Sequence, residues 1–221
     1  MIWRYINLEH HLDRNEHMVS FFNKNKIKNK RINAITPKEI KNFTAKVFKN
    51  EFPICCLLSH LVAIKDFYDS EEKIGIICED DLDDVFYHKF CLNKILNNAP
   101  QDWEILQLSY SLDNISDKFY KKKKYLDWKK NIYCTMCYAI NKEGAEKLLN
   151  KVFLNNQLSN FKFPKMVADI VLYQSVKTYT YYLSLFFTKI IFKSSLGNDL
   201  EKLIKYNKNS LIIYDYHGLI F

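Results

Sequence analysis

Glycine and proline are scarce in this chain, with four of each among 221 residues. That scarcity excludes a collagen-like or linker-rich protein. Arginine is scarcer still. Arg4, Arg14 and Arg31 are the whole complement, so the formal net charge of +8 comes almost entirely from lysine. A basic balance suits nucleic acid, anionic membranes or phosphate-bearing ligands. Asn, Ile, Phe and Tyr are also abundant, however, and all of these share AT-rich codons with lysine. Base composition therefore accounts for most of the charge, and no specific nucleic-acid partner is expected. No apolar run approaches the roughly 18 residues of a membrane span, and no signal-peptide pattern opens the sequence. The run Tyr179 to Phe187 is long enough only for a peripheral membrane contact.

Repeats and clear linkers are lacking as well. Of the six cysteines, only Cys134 and Cys137 have CxxC spacing. With no second pair, a zinc ribbon is not expected. A reducing compartment is, which means the cytoplasm, or a viral factory or virion should the source be viral. What the chain has in quantity is apolar and aromatic: 48% of residues are hydrophobic and 15% aromatic. A sizeable core follows, and the length suits one domain with a small extension. The expected division is a domain over 1–192 and a C-terminal extension over 193–221 that closes over the site.

Patterning predicts strands alternating with helices. Trp3 to Asn7 reads as a strand, followed by a helix through Arg14, Met18 and Phe22. A strand over Lys30 to Ala34 precedes the helix start Thr36-Pro37-Lys38-Glu39, which has the form of a capping box. Further helices are expected over Cys55–Tyr68, Phe86–Leu96, Lys142–Phe153 and Val167–Thr178. Strands are expected at Ile74–Cys78, Trp103–Leu108, Ile132–Ile140 and Tyr179–Leu185. Ser111 to Lys130, with its Lys121–Lys124 run, reads as a solvated loop or hairpin. This alternation implies an α/β layered fold with a mainly parallel sheet. Ligands of such sheets bind beyond the carboxyl ends of the strands.

One segment occupies such a position. After the buried run Ile74-Gly75-Ile76-Ile77-Cys78 come Glu79, Asp80, Asp81, Asp83 and Asp84, five carboxylates in six residues. A hard divalent cation with oxygen ligands would relieve their repulsion and could hold a diphosphate. Acidic charges opening a helix explain Asp83 and Asp84 equally well. Phosphoacceptor domains and magnesium-dependent nucleic-acid enzymes also carry acids at strand ends, so this cluster alone leaves the chemistry open.

The ordered blocks around the cluster narrow it. They are Ile6-Asn7-Leu8 with Asp13-Arg14; Arg31-Ile32-Asn33-Ala34; Cys56-Leu57-Leu58-Ser59-His60; Ile76 to Asp81; Asp102 to Leu108; Cys134 to Ile140 with Gly144 to Leu149; and Ala168-Asp169. In this order, from about Tyr5 to Tyr182, the chain resembles glycosyltransferase family 25, the lipooligosaccharide and procollagen galactosyltransferase group. It departs from that pattern at Cys55, where glycine is usual.

The resemblance implies a GT-A type fold, a Rossmann-like sheet flanked by helices. It further implies a UDP-sugar donor, Mn2+ or Mg2+, and inverting transfer of glucose or galactose. The implied acceptor is a hydroxyl on a surface glycan, a lipooligosaccharide or hydroxylysine of a collagen-like protein. Asp81 and Glu79 are the implied metal ligands and Asp80 a supporting acid. Asn7, Leu8 and Asn33 are implied for the uridine, Arg14 for the base or diphosphate, and Ser59 and His60 for the nucleotide site. Asp169 is the expected general base, with a plain helix start as its alternative. His217, near the C-terminus, is a further metal-ligand candidate outside the family motif. A binding protein of the same fold without turnover, or a magnesium-dependent nucleic-acid enzyme, are the alternative functions.

Overall fold

A computed structural model describes residues 1–159, 166–192 and 200–219. β1 (Trp3–Asn7) leads into α1 (Leu12–Lys24), β2 (Asn29–Asn33), a 3-10 segment at Pro37–Asn42 and α2 (Phe52–Tyr68). Next come β3 (Ile74–Glu79), β4 (Leu82–Asp83), α3 (Leu92–Asn97), β5 (Ile105–Gln107), β6 (Tyr125–Asp127) and β7 (Cys137–Asn141). The order continues with α4 (Lys142–Val152), β8 (Phe153–Leu154), β9 (Gln157–Leu158), α5 (Ala168–Ser175), β10 (Thr178–Tyr181), β11 (Phe187–Thr188) and α6 (Leu200–Tyr216).

Seven strands form the central sheet in the order β2-β1-β3-β7-β5-β10-β6. β1, β2, β3, β5 and β10 point one way, while β7 and β6 run against their neighbours. The fold is thus α/β with a mainly parallel, Rossmann-like sheet. Side chains alternate between two cores, as a strand period of two requires. Trp3, Tyr5, Ile76, Cys78, Cys137 and Ala139 face an aromatic-rich core with α1, α3 and α6. Ile6, Ile77, Tyr138 and Ile140 face an aliphatic core with α2, α4 and α5.

Strand direction decides where chemistry can gather. The carboxyl ends of β1, β2 and β3 share one edge, with Ile6 opposite Glu79 and Asn7 opposite Asn33. β7 is antiparallel to β3, so its amino end lies at that same edge, with Cys137 opposite Cys78. A helix that crosses over to a parallel strand runs against it. The amino-terminal turns of α2, which leads to β3, and of α5, which leads to β10, therefore arrive there too.

Several elements differ from the sequence expectation. The helix expected over Phe86–Leu96 is broken into a 3-10 turn at Tyr87–Lys89 and α3, with Phe90 extended between them. The break lets Phe86 and Phe90 pack on Tyr214 and lets Tyr87 stack on Phe186. Asp83 and Asp84 consequently do not open an α-helix. Asp83 lies in β4, and its carboxylate accepts the Val85 N–H at 3.2 Å. The strand expected over Ile132–Ile140 begins only at Cys137, and the Ser111–Lys130 stretch supplies the edge strand β6. The helix expected to reach Thr178 stops at Ser175, because Val176 turns extended to feed β10.

Residues 193–199, which open the expected C-terminal extension, lie outside the described residues. Beyond them lies α6, which buries Ile213 and Tyr214 in the aromatic core, the Tyr214 hydroxyl donating to the Ser184 carbonyl at 2.6 Å. No helix of the described residues is long and apolar enough to cross a membrane.

Candidate functional site

The carboxylate loop is clamped from both sides. Beyond Glu79 the chain turns through Asp80 and Asp81 into β4, which pairs with β11 through Leu82–Thr188 and Asp83–Phe187. Lys189 extends that clamp, its N–H donating to the Asp81 carbonyl at 2.8 Å. His17 of α1 donates from Nε2 to the Leu82 carbonyl at 2.6 Å, which leaves its Nδ1 to accept from Lys189 Nζ at 3.0 Å.

Asp80 is the anchor of the turn. It is buried, pairs with Arg14 Nη1 at 2.8 Å and accepts from Asn7 Nδ2 at 2.6 Å. Arg14 reaches it because α1 begins at the same edge, and its guanidinium also lies 5.3 Å from the centre of the Phe192 ring. Arg14 and Asn7, both expected at the nucleotide, are buried against Asp80. Removing one partner of a buried pair leaves an uncompensated charge. Arg14→Ala is therefore expected to destabilise the fold by about 3–5 kcal/mol, read as a lower urea midpoint at unchanged m. A loss below about 1 kcal/mol, the range of exposed pairs, would show that the pair is not the anchor.

Glu79 is half-buried and engaged twice. Its Oε1 accepts the Thr135 hydroxyl at 2.8 Å and lies 3.4 Å from His60 Nε2. Burial pushes its carboxyl up, but the His60 and Thr135 hydrogen bonds and the Arg14 charge outweigh that and hold it below the usual range. Asp81 is the opposite case. Burial, then the charges of Glu79 and Asp80, push its carboxyl up to about 7. Its Oδ1 is buried and lacks a hydrogen-bond partner among the described residues, as does Asn7 Oδ1. A hard cation would satisfy such an oxygen and remove the repulsion, so Asp81 and Glu79 fit Mn2+ or Mg2+.

Asp169 sits in the first turn of α5. Burial raises its pKa, opposed by backbone N–H groups of Ile170 and Cys134, and the Glu79 charge raises it further. It is thus a carboxylate near the triplet, above the ordinary aspartate range, with Ile170 N at 2.9 Å from Oδ1.

The other expected residues fall in varied surroundings. Leu8 and Asn33 close β1 and β2 at the site edge, Asn33 exposed and Leu8 half-buried. Ser59 is buried, and its hydroxyl joins the Ile35 N–H at 2.8 Å to the Cys55 carbonyl at 2.7 Å, so it ties the loop after β2 to α2. His60 is buried with Nδ1 at 3.1 Å from the Tyr138 hydroxyl. His217 departs from expectation. Its Nε2 donates to the Phe119 carbonyl at 2.8 Å and its ring packs on Tyr182, so that nitrogen is not offered to the carboxylates. Lys121 to Lys124 are exposed, and Trp103, Tyr110, Tyr138, Tyr179 and Tyr181 are buried in the core.

Three contributors do not stand out in the sequence. Thr135 meets Glu79. Lys189 lies beyond the last matching block. Cys134 holds φ of 89°, a left-handed conformation that is costly away from glycine. Its carbonyl accepts from Gln107 Nε2 and the Tyr173 hydroxyl, both at 2.9 Å, while its N–H serves Asp169. The strain is therefore held in place from several sides. The CxxC pattern around it is visible in the sequence, but it points to sulfur chemistry and not to backbone geometry.

Compared with known proteins, residues 3–169 match the family profile described as glycosyltransferase family 25 (LPS biosynthesis protein). No curated protein matches the chain. Among solved structures, one similar fold is described as a glycosyltransferase involved in the glycosylation of the major capsid of PBCV-1. It is 5% identical, with a TM-score of 0.40; the match covers 66% of this chain and 61% of that one. This chain thus spans less than two thirds of that protein's length.

Proposed function

Because this chain belongs to glycosyltransferase family 25, we propose that it is a glycosyltransferase that transfers glucose or galactose from a UDP-sugar to a hydroxyl acceptor, with Mn2+ or Mg2+ and with inversion. The observation that carries this reading is the gathering of Glu79, Asp81 and Asp169 around one edge of the sheet, with the Glu79 charge acting on both aspartates.

Asp81 and Glu79 would hold the cation, which supplies charge neutralisation to the departing diphosphate. Asp80, locked by Arg14 and Asn7, keeps the turn in the shape that presents both oxygens. Leu8 and Asn33, at the strand ends beside the triplet, are the proposed uridine contacts. Lys189 adds a positive charge beside the loop. Asp169 would accept the proton of the acceptor hydroxyl as that oxygen attacks the anomeric carbon; its raised pKa makes it a stronger base than a surface aspartate. A glycan, a lipooligosaccharide and protein hydroxylysine all present the hydroxyl this chemistry requires.

The test is a panel of UDP-sugars with manganese, read as UDP binding and UDP release. Saturable binding of one UDP-hexose that disappears on chelation is the expected result. Absence of UDP binding across the panel would refute the proposal, and binding without release for any acceptor would favour a non-catalytic member of the family.

A further inference from the structure

A second set of donor atoms lies beside the carboxylate loop. Cys56 and His60 are four residues apart in α2, so they share one face of the helix. That face meets the end of β3. One ligand atom each from Cys56, His60 and Glu79 lie within 4.8 Å of one another. The groups behind them are arranged as metal ligands usually are. In the metal-free protein His60 Nε2–H faces Glu79 Oε1 at 3.4 Å and Nδ1 lies 3.1 Å from the Tyr138 hydroxyl; moving the ring proton to Nδ1, where the Tyr138 oxygen can accept it, frees the Nε2 lone pair for a cation. The Thr135 hydroxyl fixes Glu79 Oε1 at 2.8 Å. Thiolate, imidazole and carboxylate together suit zinc and its relatives, and suit manganese or magnesium poorly.

We propose that Cys56, His60 and Glu79 form a three-ligand site for a zinc-class cation, with a fourth position left open, and that filling it withdraws Glu79 from donor binding. Only the second clause rests on the function proposed above. In the metal-free protein, burial and the Glu79 charge keep the proton on Cys56. Coordination displaces that proton to solvent, one for each cation bound. Zinc is thus an inhibitor of this transferase, acting from a donor set that shares only Glu79 with the manganese site.

Cobalt reports the site directly. Titrating metal-free protein with Co2+ is expected to give a sulfur-to-cobalt charge-transfer band that Zn2+ abolishes. Cys56→Ser should lose the band and Cys134→Ser, which removes the neighbouring thiol, should keep it. No band, or a band that survives in Cys56→Ser, would overturn the site. Manganese-dependent UDP binding on the same proteins separates the two clauses. Wild type should lose UDP affinity as zinc is added, and Cys56→Ser should not. Zinc that binds without lowering UDP affinity would overturn the inhibitory clause. A wild type that gives the cobalt band yet never binds UDP would refute the donor reading while leaving the zinc site standing.

Discussion

Asp81→Ala should abolish manganese-dependent binding of the donor and lower transfer about 1,000-fold, the loss of some 4 kcal/mol of charge stabilisation at the leaving diphosphate. Asp81 carries a buried carboxylate oxygen without a hydrogen-bond partner among the described residues. The same substitution should stabilise the metal-free protein. The sign follows from the direction of the shift. An unfolded aspartate titrates near 3.9, while burial and the neighbouring carboxylates raise folded Asp81 to about 7. Between those values the native state binds more protons than the unfolded one, so stability falls as pH rises through that window. Removing the carboxylate flattens that slope. Manganese affinity of the wild type should move the other way and weaken as pH falls below about 7, because the cation must displace the proton. Donor affinity equal to wild type in Asp81→Ala, with manganese present, would remove Asp81 from the ligand set.

Asp169→Asn should behave differently. The amide keeps an oxygen that can accept the Ile170 and Cys134 N–H groups, so the start of α5 survives. What is lost is a site for the acceptor proton, and general-base contributions amount to about 100- to 10,000-fold. The expected result is unchanged UDP affinity with kcat lowered within that range. In the wild type, transfer should also decline on the acid side, starting above the usual aspartate range. Full transfer in Asp169→Asn would reduce Asp169 to a helix-start residue. Together the two variants separate holding the donor from activating the acceptor.

The legible parts of this molecule are those where a local pattern has one cause. The run Ile74 to Cys78 is apolar, β-branched and short because β3 is buried on both faces. The Thr36–Glu39 signal does mark a helix start, with Glu39 accepting both the N–H and hydroxyl of Thr36 at 2.8 and 2.6 Å, although the element it opens is a 3-10 segment. Sequence and structure part where a distant partner decides. Phe86 to Leu96 has helical composition, yet aromatic contacts with Phe186 and Tyr214 break it. The two-residue strands β4 and β11 carry no periodicity of their own, because each exists only through pairing with the other.

The carboxylate triplet remains the centre of the molecule, but its members are now distinct. Sequence alone determined that carboxylates follow a buried strand in an α/β chain, and the ordered blocks around them pointed to a family. That information is local: apolar period, residue type and order along the chain. Tertiary structure decided which carboxylate does what. Asp80 is neutralised by Arg14, Glu79 is tied to Thr135 and His60, and Asp81 is left with an unsatisfied oxygen and a raised pKa. Three adjacent acids look alike in a sequence. Their protonation and partners depend on burial and on charges brought in by α1, α2 and the turn before β7, which only the folded chain places beside them.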